Sequence, residues 1–178
     1  MNKIRTQNFV TPYGELIIGS FENQLCLCDW QYRKNRKVID QRIKKGLAAE
    51  YVDEPSGIVE KTINQLTSYF NGEKDFFTIP LLLVGSNFQK QVWNELIKIP
   101  FGKKETYLGL SNKLNNPKAI RAIAAANGAN AISIIVPCHR IVGSNGKLIG
   151  YAGGLNTKKQ LLKLESKNIE AEQLQLFA

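Results

Sequence analysis

The apolar periodicity of the chain changes at Val84-Gly85-Ser86, and this change limits its fold more than any other feature. Before it, Lys3–Val10, Glu15–Ser20 and Leu25–Trp30 are short β-prone runs. They are separated by Thr-Pro-Tyr-Gly and Phe-Glu-Asn-Gln, breaks suited to the turns of a small sheet. Ser56 is placed to cap a helix carrying Ile58, Val59, Ile63, Leu66 and Phe70, which Asn71-Gly72 closes. Phe77–Leu83 reads as a short strand leading to the linker. After the linker the spacing is helical. Phe88, Val92, Trp93 and Leu96 fall at i, i+4, i+5 and i+8 behind Asn87, and Pro100-Phe101-Gly102 ends that helix. A short helix around Tyr107–Leu114 precedes Asn116, an N-cap residue, and Pro117, suited to a first helical position. Helix, tight turn and helix at this spacing make a helix-turn-helix. The class is α+β: a small N-terminal α/β domain with a short β-sheet over residues 1–84, then a mostly helical domain over 85–178.

Charge divides at the same place. The net charge is +9, yet residues 1–80 hold 11 Lys/Arg against 10 Asp/Glu, while residues 81–178 hold 13 against 5. A basic half suits a polyanion, because cations release condensed counterions from nucleic acid. In the first half, the dense run Arg33-Lys34-Asn35-Arg36-Lys37 reads as a solvated helix face. There is no run of about 18 apolar residues to cross a membrane. Three cysteines, an odd number, argue against a disulfide framework and for a reducing compartment. Cys26 and Cys28, alternate residues on a strand, read as core cysteines on one face. Without a nearby His they do not complete a zinc site. No metal or other cofactor is expected.

The chemistry centres on Val136-Pro137-Cys138-His139-Arg140, which sets a thiol beside the only histidine of the chain. A nearby imidazole raises the thiolate fraction of a cysteine and makes it a nucleophile. In an extended strand the two side chains would point to opposite faces, so their contact needs a turn or a bridging water. Pro137 restricts both itself and Val136 and makes a local turn plausible. A third group must orient the imidazole. Glu165 shares a helical face with Leu161 and Leu162, in a helix that Asn156 is placed to cap, and a carboxylate there needs a partner. Such a carboxylate would favour a protonated imidazole, which would stabilise the thiolate.

The segment Asn130-Ala131-Ile132-Ser133-Ile134-Ile135-Val136-Pro137-Cys138-His139-Arg140-Ile141-Val142-Gly143, with Gly150-Tyr151-Ala152-Gly153-Gly154-Leu155, closely resembles the active-site segment of the O6-alkylguanine-DNA alkyltransferases. The likeness runs from about Phe88 to Glu165. It is weaker before that, where Pro12-Tyr13-Gly14-Glu15-Leu16 looks like the opening hairpin of the family. The resemblance implies a ribonuclease H-like fold for residues 1–84. It implies direct, irreversible transfer of an alkyl group from O6-alkylguanine in double-stranded DNA to Cys138, by a monomer located in the cytoplasm, or in the nucleus of a eukaryote.

The same resemblance assigns roles. Cys138 is the nucleophile, linked through a water to His139, with Glu165 behind it. Asn130 braces the active-site turn, and Tyr107 stands at the pocket mouth. Val136, Pro137, Tyr151, Ala152, Gly153 and Gly154 line the pocket. Arg121 fills the gap left by an everted nucleotide, while Lys118, Ala122, Ala125 and Arg140 meet DNA in its minor groove. Two positions depart from the usual pattern. Ala131 stands where Pro is common, and Ala152 where some members carry Ser. Three alternatives stay open: a non-repairing lesion-binding relative, which the presence of Cys138 disfavours; a Cys-His hydrolase of acyl substrates; and a sequence-reading DNA regulator.

Overall fold

A computed structural model describes the backbone of residues 2–176 and the side chains of residues 2–167. Strands β1 (Asn2–Thr11), β2 (Gly14–Phe21) and β3 (Gln24–Trp30) form an antiparallel meander. Helix α1 (Arg36–Leu47) carries the chain to β4 (Ala49–Asp53), which pairs parallel to β1, so the sheet order is β3-β2-β1-β4. Alternation along β1 and β2 sends side chains to both faces. On one face Ile39 and Ile43 of α1 pack with Ile4, Leu27 and Ala49. On the other, Val59, Leu66 and Tyr69 of α2 (Gly57–Phe70) pack with Leu16 and Ile18.

The edge of β3 positions the site. Leu25 pairs with Leu81 and Cys28 with Ile132, both in parallel bridges. Cys28 N–H donates to Ala131 O at 2.9 Å, and Ser133 N–H donates to Cys28 O at 2.6 Å. An edge that would otherwise expose unpaired amides is thus covered by a segment of the second half. The expected strand Phe77–Leu83 reduces to that single bridge at Leu81, because Pro80 has no N–H to extend a ladder.

Helix α3 (Asn87–Ile97) is capped by Ser86 in a reciprocal box with Gln89, so the linker also serves as the helix start. Its Val92, Trp93 and Leu96 are buried, and Trp93 Nε1–H donates to Ala126 O at 2.8 Å. Strand β5 (Glu105–Thr106) leads into α4 (Tyr107–Lys113), then α5 (Ile120–Gly128), a 3₁₀ turn at Cys138–Arg140, β6 (Ile141–Val142) beside β5, and α6 (Leu155–Leu176). The architecture is α+β. Residues Leu16, Ile18, Leu25 and Trp30 share one apolar cluster with Val92, Trp93, Ile123, Val136 and Leu161, so the two sequence halves have a common core.

Several local expectations change. Helix α5 begins at Ile120 rather than Pro117: Asn115 takes φ 53° and Ala119 N–H bonds to Asn116 O at 3.0 Å, so these residues form the turn itself. Helix α6 begins at Leu155, which places Asn156 inside its first turn rather than at the cap. Ser56 precedes α2 without capping it, since its hydroxyl is spent on Ser20 at 2.6 Å. Cys26 and Cys28 are both buried but lie in different clusters, because the register shifts opposite Gly19/Ser20 and the strand bulges at Cys26. Burial pushes the Cys26 thiol up to about 12 and raises Cys28 as well, so neither is a nucleophile near neutral pH.

Candidate active site

After pairing with β3, the chain reverses twice. Ile134 takes φ 73°, and Ile135 N–H reaches back to Ser133 O at 2.9 Å, the strained γ-turn of positive φ. A buried β-branched residue in that conformation costs about 1–3 kcal/mol, held in place by its surroundings. Pro137, at φ −80° and ψ 60°, is the centre of an inverse γ-turn in which Cys138 N–H donates to Val136 O at 2.8 Å. These turns, and not a strand, present Cys138 and His139.

Asn130 ties the turns together. Its Oδ1 accepts from Ile132 N–H at 2.9 Å, while Nδ2 donates to Val136 O at 2.9 Å and to Cys138 Sγ at 3.1 Å. Cys138 is 2 % exposed. Burial raises its pKa, opposed by the Asn130 hydrogen bond and by the nearby cations Arg33 and Lys158. It forms the floor of a pocket of about 250 Å³, with Tyr107, Ala124, Asn127, Gly128, Tyr151 and Ala152 in the walls. Val136, Pro137, Gly153 and Gly154, expected to line this pocket, do not: Val136, Pro137 and Gly153 are buried, and Pro137 borders a separate cavity with Phe101 and Arg140. Burial and the neighbouring Cys138 keep Tyr107 a neutral phenol, with its pKa raised.

Glu165 is fully buried and accepts five hydrogen bonds. His139 Nε2 lies 2.7 Å from Oε1, and Tyr69 Oη–H donates to the same oxygen at 2.8 Å. Arg140 spans both oxygens, with Nε at 2.9 Å and Nη2 at 3.0 Å, and Gly102 N–H donates to Oε2 at 3.0 Å. Burial alone would raise this carboxyl, but the His139 and Arg140 hydrogen bonds and charge outweigh it and bring the pKa to about 2. For His139 the balance goes the other way: burial lowers its pKa despite Glu165. Burial thus works against the expected imidazolium and towards the neutral ring. Because Glu165 can only accept, Nε2 carries the hydrogen and Nδ1 is the basic nitrogen. Nδ1 has no protein partner among the described residues.

The remaining sequence candidates divide. Lys118, Arg121, Ala122 and Ala125 are exposed around the start of α5, though Lys118 lies in the turn before the helix. Ile120, the first residue of α5, is 38 % exposed. Arg140, expected at the DNA surface, lies elsewhere. It is buried, bonded to Glu165 and to Ile99 O at 2.6 Å, and therefore does not meet DNA. Its guanidinium supplies the counter-charge to the buried Glu165 carboxylate. Gly153 lies where a Cβ would stand 2.6 Å from Trp30 Nε1, so only glycine lets this loop sit against Trp30. Tyr151 Oη accepts from Trp30 Nε1–H at 3.0 Å, and Tyr32 Oη–H donates to Gly153 O at 3.1 Å.

The chain matches the family model "6-O-methylguanine DNA methyltransferase, DNA binding domain" over residues 87–167. It is 41 % identical over 158 residues to the methylated-DNA–protein-cysteine methyltransferase of Methanosarcina acetivorans, covering 88 % of this chain and 95 % of the relative. The chain belongs to the methylated-DNA–protein-cysteine methyltransferase family. The Mycobacterium tuberculosis member is 45 % identical over 121 residues, 68 % of this chain and 73 % of that one. The crystal structure of Mycobacterium tuberculosis OGT in complex with DNA superposes with a TM-score of 0.80 at 35 % identity, over 93 % of this chain and 94 % of that one.

Within this family member, the residues that sequence reasoning missed come mainly from the N-terminal half. The basic run is solvated only in part: Lys34, Asn35 and Lys37 are exposed, but Arg33 and Arg36 turn inward. Arg33 is buried, with Nη1 2.6 Å from Asp29 Oδ2 and 2.9 Å from Asn130 O, and Nη2 on Gly128 O at 2.5 Å. Arg36 shares Asp29 at 3.0 Å, and Ser133 Oγ–H donates to Asp29 Oδ1 at 3.0 Å. Arg42 donates to Ala129 O at 2.8 Å. The signal was present as a lone carboxylate, Asp29, in an apolar strand, since a buried charge requires a partner. Lys158 was missed as well. It is fully buried, donates to Ile149 O at 2.8 Å and Gly150 O at 3.1 Å, and burial lowers its pKa to about 8. Its spacing from Leu161, Leu162 and Glu165 placed it on their face.

Proposed function

We propose that this protein repairs O6-alkylguanine in double-stranded DNA by moving the alkyl group onto Cys138, once per molecule, acting as a monomer. The observation that carries the reading is the buried Cys138 thiol, bonded to Asn130, at the floor of a pocket walled by Tyr107 and α5. The exposed Arg121, Ala122 and Ala125 supply a cation and two small side chains that let α5 approach the minor groove closely. A stacked guanine carries its O6 substituent on the major-groove edge, out of reach of a buried thiol, so the nucleotide must leave the stack. Arg121 fills the gap it leaves, and Tyr107 donates a hydrogen bond to the everted base.

The chemistry is one in-line displacement. Cys138 sulfur attacks the alkyl carbon; the S–C bond forms as the C–O6 bond breaks, and the electron pair stays with guanine. The thiol proton passes through one water to His139 Nδ1, the basic nitrogen left by the Nε2–Glu165 hydrogen bond. A proton then returns to guanine, which leaves as the normal base. The product is a thioether, which water does not cleave, so Cys138 is not regenerated.

Incubation with duplex containing O6-methylguanine, followed by intact mass and peptide mapping, tests this. One methyl per protein is expected on Cys138, and Cys138→Ala should bind the duplex without removing the methyl. Multiple turnovers without an added acceptor, as a thioester-forming hydrolase would give, refute the proposal.

A further inference from the structure

Lys34 stands between two fixed residues. Arg33 is held by Asp29 and by the carbonyls of Gly128 and Asn130. Asn35 O accepts from Val38 N–H at 3.2 Å and Ile39 N–H at 3.3 Å at the start of α1. The Arg33 side chain thereby ties the start of this tripeptide to the second half of the chain, while Asn35 ties its end to α1. Lys34 itself is exposed and makes no ion pair among the described residues. It nevertheless lines the pocket whose floor is Cys138, on the rim contributed by the N-terminal half.

An everted nucleotide keeps its two flanking phosphates. When its base reaches a buried thiol, those phosphates remain outside, at the mouth of the pocket. A cation anchored at that mouth faces a phosphodiester held at short range. We propose that Lys34 is a phosphate-binding residue for the everted nucleotide, so that the N-terminal half grips the lesion strand opposite α5. This rests on the alkyl-transfer reading above. A lysine suits the role, since its ammonium is a compact charge on a flexible stem and need not match one fixed geometry. Arg33 is unavailable for it, because it is buried and its guanidinium is held by Asp29 and by the carbonyls of Asn130 and Gly128.

The test compares Lys34→Ala, Lys34→Arg and Lys37→Ala. Lys37 is also exposed but does not line the pocket, so its loss reports the effect of net charge alone. Binding to O6-methylguanine duplex is measured by anisotropy across a salt series, and single-turnover transfer is measured from duplex and from free O6-benzylguanine. Losing one phosphate contact should reduce the log–log salt slope by about 0.9, which is about eightfold in affinity at 0.1 M salt. Lys34→Ala should show that change and lose more rate on duplex than on the free base, and Lys34→Arg should restore the slope. Identical slopes and rates for Lys34→Ala and Lys37→Ala overturn the proposal, as do equal losses on duplex and free base. A wild-type protein that binds the duplex but transfers nothing overturns the repair reading instead, and the salt slopes still decide the role of Lys34.

Discussion

Replacing Arg33 by Met should destabilise the protein by about 4 kcal/mol, although the residue belongs to a run that looks like surface charge. Asp29 is fully buried, and Arg33 is its nearest cation at 2.6 Å. Removing one partner of a buried ion pair costs about 3–5 kcal/mol, because the other charge is left without compensation. Arg36 remains 3.0 Å from the same oxygen, which puts this case at the low end, about 3 kcal/mol. The buried Asn130 carbonyl also loses its donor, worth about 1 kcal/mol. In a chain of this length such a loss lowers Tm by about 8–16 °C. Urea unfolding at neutral pH measures it directly. The double variant Asp29→Leu/Arg33→Met removes both charges and should cost well under the sum of the two single changes. A loss below about 1 kcal/mol for Arg33→Met, or full additivity in the cycle, would refute the view that this pair clamps the two halves together.

Glu165→Gln should leave the Arg140 guanidinium buried without its counter-charge and cost about 3–5 kcal/mol in urea unfolding. With a carboxyl depressed from 4.5 to about 2, Glu165 in the wild type contributes about 3 kcal/mol above pH 4.5, lost as pH falls towards 2; an acid titration of stability reads this out. Lys158→Met removes a cation near the thiol and should raise the apparent pKa of Cys138, seen as an alkaline shift in the pH profile of iodoacetamide labelling. Gly153→Ala should displace the pocket loop from Trp30 and slow alkyl transfer with little change in unfolding midpoint; an unchanged rate would show that the loop tolerates the movement.

The sequence by itself determined the elements whose information is local. Strands β1 to β3, the stripe Val92, Trp93 and Leu96 of α3, and the pairing of Cys138 with a single histidine were all legible, because alternation, helical spacing and adjacency need no knowledge of the fold. So was the face that sets Glu165 beside Leu161 and Leu162. The protonation of the site was not legible. Whether His139 is cationic depends on full burial against one carboxylate hydrogen bond, and burial is a property of packing. The fates of Arg33 and Arg140 were hidden for the same reason. Each reads as a surface cation until the fold places a carboxylate and backbone carbonyls around it, Asp29 for one and Glu165 for the other. Desolvation makes such partners obligatory, and only tertiary structure decides which groups lose their water.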